Sequence, residues 1–260
     1  MRVGLVGLSN PVSNVETVVD WLQQKNMEVI VSKYMSGDST PIEKAREWNQ
    51  WMKESALDWI FDLSGGDLAN TVIPYLDIDC FRQSKTQFAG YSDLTCVLNY
   101  LYKKTNKPCL LFQIRNHGLE QEVVDYFYKK NNHLCTLSCD FSTDQTSIVV
   151  GGNIRCLLKL AGTEDFPDVK DKILLLESYS GSWYRIQSYL AQLERMQVFH
   201  QAQSVLLGQF TELDREGNRS KLLEYPFSCG LGCTLDIGHS YYSKAIWIGK
   251  EIHITKNLIY

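Results

Sequence analysis

Apolar positions in the first part of the chain alternate between two spacings. Short dense runs at Arg2–Leu8, Met27–Val31 and Trp59–Leu63 read as buried strands. Between them, 14–25 carries Val15, Val18, Val19 and Leu22 at helical spacing, and 41–57 reads as a second helix with Pro41 in its first turn after Ser39-Thr40. This alternation predicts a parallel sheet with helices on both faces. Ligands collect at the carboxyl ends of such strands, so Ser64-Gly65-Gly66-Asp67 and the turn at Ser92 are expected on one edge.

Beyond about Lys107 the pattern becomes less regular. Val123–Lys130 reads as a helix, whereas Leu134–Cys139, Ser147–Val150 and Ile173–Leu176 read as strands. Arg185–Gln197 is an amphipathic helix through Ile186, Tyr189, Leu190 and Leu193, followed by strands at Ser204–Phe210, Ala245–Ile248 and Glu251–Ile254. The expected class is α/β: a Rossmann-like parallel-sheet N-terminal domain, 1–115, followed by a β-rich α+β C-terminal domain, 116–260. No internal repeat or low-complexity tract interrupts it.

The 260 residues suffice for a substantial core. A formal net charge of -4 leaves no electrostatic footprint for nucleic acid or an anionic membrane, so neither is expected as a partner. No long apolar run reaches membrane-spanning length, and the glycine-broken start Met1-Arg2-Val3-Gly4 reads as a strand rather than an export signal, which places the protein in the cytoplasm. The eight cysteines then read as reduced small hydrophobes. Cys135/Cys139 and Cys229/Cys233 are each four apart, but no further His or Cys follows at zinc-finger spacing, so no metal is expected.

The stretch with most chemistry in it is Phe88-Ala89-Gly90-Tyr91-Ser92-Asp93-Leu94-Thr95. An apolar run breaks at Gly90, and Leu98 and Leu101 continue downstream at helical spacing, so Ser92 lies on a tight strand-to-helix turn. A nucleophile elbow presents its hydroxyl in that way, with helix N–H groups just beyond it. Leu94 replaces the second glycine of the usual elbow, and a Ser-Asp pair before a helix is also an ordinary N-cap; the residues alone leave both readings open. If an elbow is present, one oxyanion donor is the N–H of Asp93. A second comes from Gly66 or Asp67 in the glycine turn.

The ordered blocks Ser64-Gly65-Gly66 with Asn70 and Ile73-Pro74-Tyr75-Leu76-Asp77, Gly90-Tyr91-Ser92-Asp93-Leu94-Thr95, Gly151-Gly152-Asn153, Gly162-Thr163, Leu174-Leu175-Leu176-Glu177 and Gly238-His239 resemble the LD-carboxypeptidase family of serine peptidases. The resemblance implies Ser92 as nucleophile, Glu177 as orienting acid and His239 as general base, with no cofactor. It implies a cytoplasmic homodimer that takes terminal D-alanine from muropeptide tetrapeptides in cell-wall recycling. Two alternatives stand beside it: a microcin-C self-immunity-like hydrolase of peptidyl or aminoacyl nucleotides, and an inactive peptide-binding homologue. Gly65-Gly66-Asp67-Leu68 departs from the Gly-Gly-Tyr-Gly of many members, and Gly181 stands where others have an acid. Gly65, Trp183, Tyr184 and Arg115 are expected to contact substrate, with Arg115, Lys159 and Arg185 as candidate cations for its carboxylate.

Overall fold

The computed structural model describes residues 1–35, 37, 39–54, 56–115, 121–129, 134–255 and 257–259. Its strands, in chain order, are β1 Arg2–Val6, β2 Glu28–Val31, β3 Trp59–Asp62, β4 Gln87–Gly90, β5 Cys109–Leu111, β6 Leu137–Ser138 and β7 Asp140–Phe141. They continue with β8 Gln145–Asn153, β9 Ile173–Ser178, β10 Ser204–Phe210, β11 Gly230–Cys233, β12 Ile246–Ile248, β13 Glu251–Ile254 and β14 Leu258–Ile259. Two sheets result. The first has the order β12-β5-β4-β3-β1-β2 and is parallel except for β12, which runs antiparallel to β5. The second has the order β6-β14-β13-β8-β9-β10-β11-β7.

The expected α/β class with a Rossmann-like first sheet is therefore present. Helices Val15–Gln24 and Pro41–Glu54 stand where the helical spacing puts them. Trp48 on the second is fully buried, stacked on Phe81 and edge-on to Phe88, which ties that helix to the sheet. Pro41–Glu54 ends before the expected Leu57, which is itself buried. Strand order 2-1-3-4-5 reverses direction between β1 and β3, and the crevice at that reversal is where ligands settle in such sheets.

The second sheet is mixed. Its middle, β8-β9-β10-β11, is parallel, which suits strands as apolar as Ile173-Leu174-Leu175-Leu176, buried on both faces. Of the expected strand Leu134–Cys139 only Leu137–Ser138 forms, as β6, and β7 follows just beyond it; the two pair at opposite edges of the sheet. Helix Gln121–Phe127 covers most of the expected 123–130, and Lys130 lies outside the described residues. The expected closing strand at Ala245–Ile248 forms as Ile246–Ile248 but joins the first sheet, because its Ile-Trp-Ile run caps the exposed edge of β5.

Between the sheets lies the helix Thr95–Thr105, buried from Thr95 to Tyr102. Here the Gly151-Gly152 pair has a packing reason. A Cβ on Gly152 would sit 2.8 Å from Thr95 Oγ1, so only glycine lets β8 lie this close to the helix. Asn99 then exchanges two hydrogen bonds with the backbone of Gly151, 2.8 and 2.9 Å, and Thr95 Oγ1 accepts from Asn153 N–H at 3.0 Å. The helix that follows Ser92 is thereby fixed to the strand beside β9.

Candidate active site

Gly90 ends β4, and a Cβ there would lie 2.8 Å from Leu94 Cβ; the turn closes only because Gly90 has none. Ser92 follows with φ of 55°, the left-handed conformation typical of an elbow, and the turn Ser92–Leu94 leads directly into the buried helix. Glu177 lies within β9 and is fully buried, its strand running on to Ser178 rather than ending before the acid. His239 occupies the loop after β11. The three converge across 62 and 147 residues of sequence: His239 Nε2 is 3.0 Å from Ser92 Oγ, and His239 Nδ1 is 2.8 Å from Glu177 Oε2. A hydroxyl, an imidazole and a carboxylate bonded in series can move a proton off the hydroxyl and hold the resulting imidazolium.

The imidazole is held from several sides. Its ring lies edge-on to Tyr91 at 4.9 Å between centroids and tilted against Tyr179 at 5.0 Å. Tyr91, from the serine's own turn, donates its hydroxyl to Gly238 C=O. Gln209 on β10 braces the same loop: its N–H donates to Ile237 C=O, its amide Nε2 to Ser240 Oγ at 2.9 Å, and its Oε1 accepts from Ser240 N–H at 3.1 Å. Gly238 is needed because a Cβ would strike Gln209 Cβ at 2.3 Å; the crowding is against this brace and not the imidazole. Tyr91, Tyr179 and Gln209 were not singled out by sequence reasoning. Tyr91 and Tyr179 flank the serine and the acid at one and two positions, the one signal that points to them.

The glycine turn after β3 can be resolved amide by amide. Gly65 C=O accepts from Asn10 N–H at 3.2 Å, which turns the N–H of the same peptide, that of Gly66, the opposite way. Gly66 C=O accepts from Arg155 at 2.7 Å, and the Asp67 N–H donates to Asn10 Oδ1 at 3.0 Å. Asp67 C=O accepts from Lys159 at 2.7 Å, and Leu68 N–H donates to Ser9 Oγ at 3.2 Å. Asp67 is thereby corrected as an oxyanion donor, since its amide already has an acceptor. Gly66 has none among the described residues. At Gly66, φ is +113° and a Cβ would meet the Asn10 side chain at 2.3 Å.

Beneath the turn is a buried polar network. The Asp93 carboxylate, wholly buried, accepts from Ser9 Oγ at 2.6 Å and Ala69 N–H at 2.8 Å, and pairs with Lys159 Nζ. Lys159 is thus committed to this pair and to the glycine turn, not available for a substrate carboxylate. Burial pushes the Asp62 carboxyl up to about 6 despite hydrogen bonds from Ser64 and Leu8, while the Cys96 thiol is raised to about 12 by burial and is no competing nucleophile.

A cleft of about 440 Å³ opens over these groups, lined by Ser64, Gly65, Gly66, Ser92, Arg115 and His239 among others. A Cβ on Gly65 would be 3.9 Å from an Arg115 guanidinium nitrogen and 4.0 Å from Ser92 Oγ, so the cation and the hydroxyl flank the same glycine. Trp183 and Tyr184 do not line the cleft. After Gly181, whose N–H donates to Glu212 at 2.7 Å, the chain enters the helix Trp183–Arg195, which leaves Tyr184 81% exposed and Arg185 on the outer surface. Tyr179 is the aromatic that reaches the cleft instead. Among the described residues no group of three or more His, Cys, Asp or Glu is placed to hold a metal, and no helix is long and apolar enough to cross a membrane.

Comparison with known proteins gives the same architecture. Residues 3–111 match the model of the LD-carboxypeptidase N-terminal domain, and residues 146–254 that of the LD-carboxypeptidase C-terminal domain. The microcin C7 self-immunity protein of Escherichia coli is 25% identical over 253 residues, covering 79% of this chain and 73% of that protein. The structure of that self-immunity protein with glutamyl sulfamoyl guanosine superposes with a TM-score of 0.82 at 20% identity, over 99% of this chain and 95% of the other. A muramoyltetrapeptide carboxypeptidase from Oxalobacter formigenes gives 0.84 at 19% identity, over 100% and 97%.

Proposed function

Since the chain belongs to the LD-carboxypeptidase family, we propose that it is a serine hydrolase removing a terminal D-alanine from muropeptide tetrapeptides, with Ser92 as nucleophile, His239 as base and Glu177 as orienting acid. The observation that carries this reading is the hydrogen-bonded series Ser92, His239, Glu177 at the floor of a cleft that also holds Arg115.

The steps follow from the geometry. Ser92 Oγ attacks the carbonyl carbon before D-alanine while its proton passes to His239 Nε2. Negative charge gathers on the carbonyl oxygen, opposite the N–H groups of Gly66 and Asp93. Glu177 keeps Nδ1 protonated and stabilises the imidazolium. His239 then protonates the departing amine, the carbon–nitrogen bond breaks, and an acyl ester on Ser92 remains. Water, losing its proton to His239, releases the tripeptide. Arg115 holds the carboxylate of the terminal residue.

A second reading, hydrolysis of aminoacyl nucleotides, is favoured by the likeness to the microcin C7 self-immunity protein, whose structures include complexes with glutamyl sulfamoyl guanosine and aspartyl sulfamoyl adenosine. The inactive peptide-binding alternative gains no support from three polar side chains bonded in series. The cell-wall-recycling and homodimer expectations rest on family likeness alone. Incubation with a muropeptide tetrapeptide and, separately, with aspartyl sulfamoyl adenosine, followed by mass spectrometry, separates the readings: release of D-alanine is expected. Arg115→Ala is expected to raise KM for the tetrapeptide about tenfold with little change in kcat, the value of one charge-assisted hydrogen bond. Release of aspartate alone would transfer the assignment to the second reading.

A further inference from the structure

A larger cavity, about 530 Å³, lies at the other end of the first sheet. Its walls come from the residues that begin the strands: Trp59 opens β3, Gln87 opens β4 and Pro108 precedes β5, whereas Ser92 follows the far end of β4. The volume falls within the range of small-molecule sites.

The lining combines two chemistries. Trp59, Phe127 and Trp247 form a packed aromatic wall, with Trp59 and Phe127 edge-to-face at 4.9 Å and Trp59 and Trp247 at 6.0 Å. Trp59 and Trp247 are only 4% and 8% exposed, so only the margins of the two rings, their rims, are open to a flat ring that packs against them. The mouth carries Lys85, Lys129 and Lys250, all exposed, with Lys250 Nζ 5.5 Å from the Trp247 ring centre. Among the described residues none of the three has an acidic partner within ion-pair distance. The carboxylate on this wall, Asp58, already accepts from Arg2 N–H at 2.8 Å. Three lysines against the single carboxylate of Asp58 leave the lining net positive in a chain of net charge -4.

We propose that this cavity binds a small planar aromatic anion, its ring against the Trp59 and Trp247 rims and its carboxylate or phosphate among Lys85, Lys129 and Lys250. The site is separate from the catalytic cleft by the length of a strand and does not depend on the hydrolytic reading.

The test uses the indole N–H signals of the intact protein in a nitrogen–proton correlation spectrum, with the Trp247 signal assigned by its loss in Trp247→Phe. Three probes are titrated: 1-naphthoate, adenosine 5′-monophosphate and uncharged 1-naphthalenemethanol. The Trp247 signal is expected to shift saturably with at least one anion and at least tenfold more weakly with the alcohol. Lys85→Glu combined with Lys250→Glu is expected to weaken the anion at least tenfold while leaving hydrolysis unchanged. Saturation by naphthoate alone identifies a carboxylate ligand, and by the monophosphate alone a phosphate. A Trp247 signal unmoved by both anions at millimolar concentration, or a shift indifferent to charge reversal, overturns the proposal. Neither result bears on Ser92, because Trp247 lines this cavity and not the cleft over Ser92.

Discussion

Ser92→Ala is expected to lower kcat by about five to six orders of magnitude while leaving the fold and substrate binding in place, as measured by single-turnover release of D-alanine alongside thermal unfolding. The size follows from the role. The substitution removes one oxygen atom, the one 3.0 Å from His239 Nε2, and touches no core contact. Without it no acyl ester forms, and what remains is the stabilisation of a water-driven reaction by the Gly66 and Asp93 amides. The three groups act as one relay, so Ser92→Ala combined with His239→Ala is expected to be no slower than Ser92→Ala alone. Independent, additive losses would mean that the hydrogen-bonded series is packing and not machinery.

Lys159→Met is expected to destabilise the protein by about 3 kcal/mol, seen as a fall in Tm on the order of 10 °C. Lys159 comes from the segment after β8, in the half of the chain that carries Glu177 and His239, and pairs with Asp93, whose carboxylate is wholly buried. Removing the cation leaves an uncompensated charge among Ser9, Ala69 and the glycine turn. The same change removes the hydrogen bond to Asp67 C=O and loosens the turn that carries the Gly66 amide, so kcat should fall with stability. Adding Asp93→Asn to Lys159→Met is expected to recover most of the Tm, because no unpaired charge then remains, but not the kcat. Unfolding by heat with both variants measures this; equal stability of Lys159→Met and the parent would show the pair to be solvated.

Strands β1 to β4 were legible because they are short apolar runs and the helices between carry one apolar stripe, signals that local spacing preserves; β5, three residues long, is too short to show one. Ser92 was legible for a similar reason, since Gly90 and the helix beyond mark its turn. Glu177 and His239 carry no such mark. They meet the serine only after chain separations of 85 and 147 positions have closed, and family resemblance pointed to them where periodicity did not. Trp183 and Tyr184 were drawn in by nearness to Glu177 along the chain, but the turn at Gly181 directs the following helix away and leaves Tyr179 at the cleft. Asp67 failed as a donor for a comparable reason: the direction of each amide in the turn is set by Asn10 from one side and by Arg155 and Lys159 from the other, none of which is its neighbour in sequence. The closing strand looked like part of the second sheet because it sits among its residues, yet an open edge at β5 was the better partner.

The most direct test of a Ser92 hydroxyl activated by His239 is covalent labelling that assumes no substrate. A fluorophosphonate is incubated with the protein, the adduct is weighed intact, and its position is mapped by peptide sequencing. The expected result is one phosphonyl group on Ser92 in the parent and none in His239→Ala. A label on a different serine, or labelling of Ser92 that persists undiminished in His239→Ala, would contradict it.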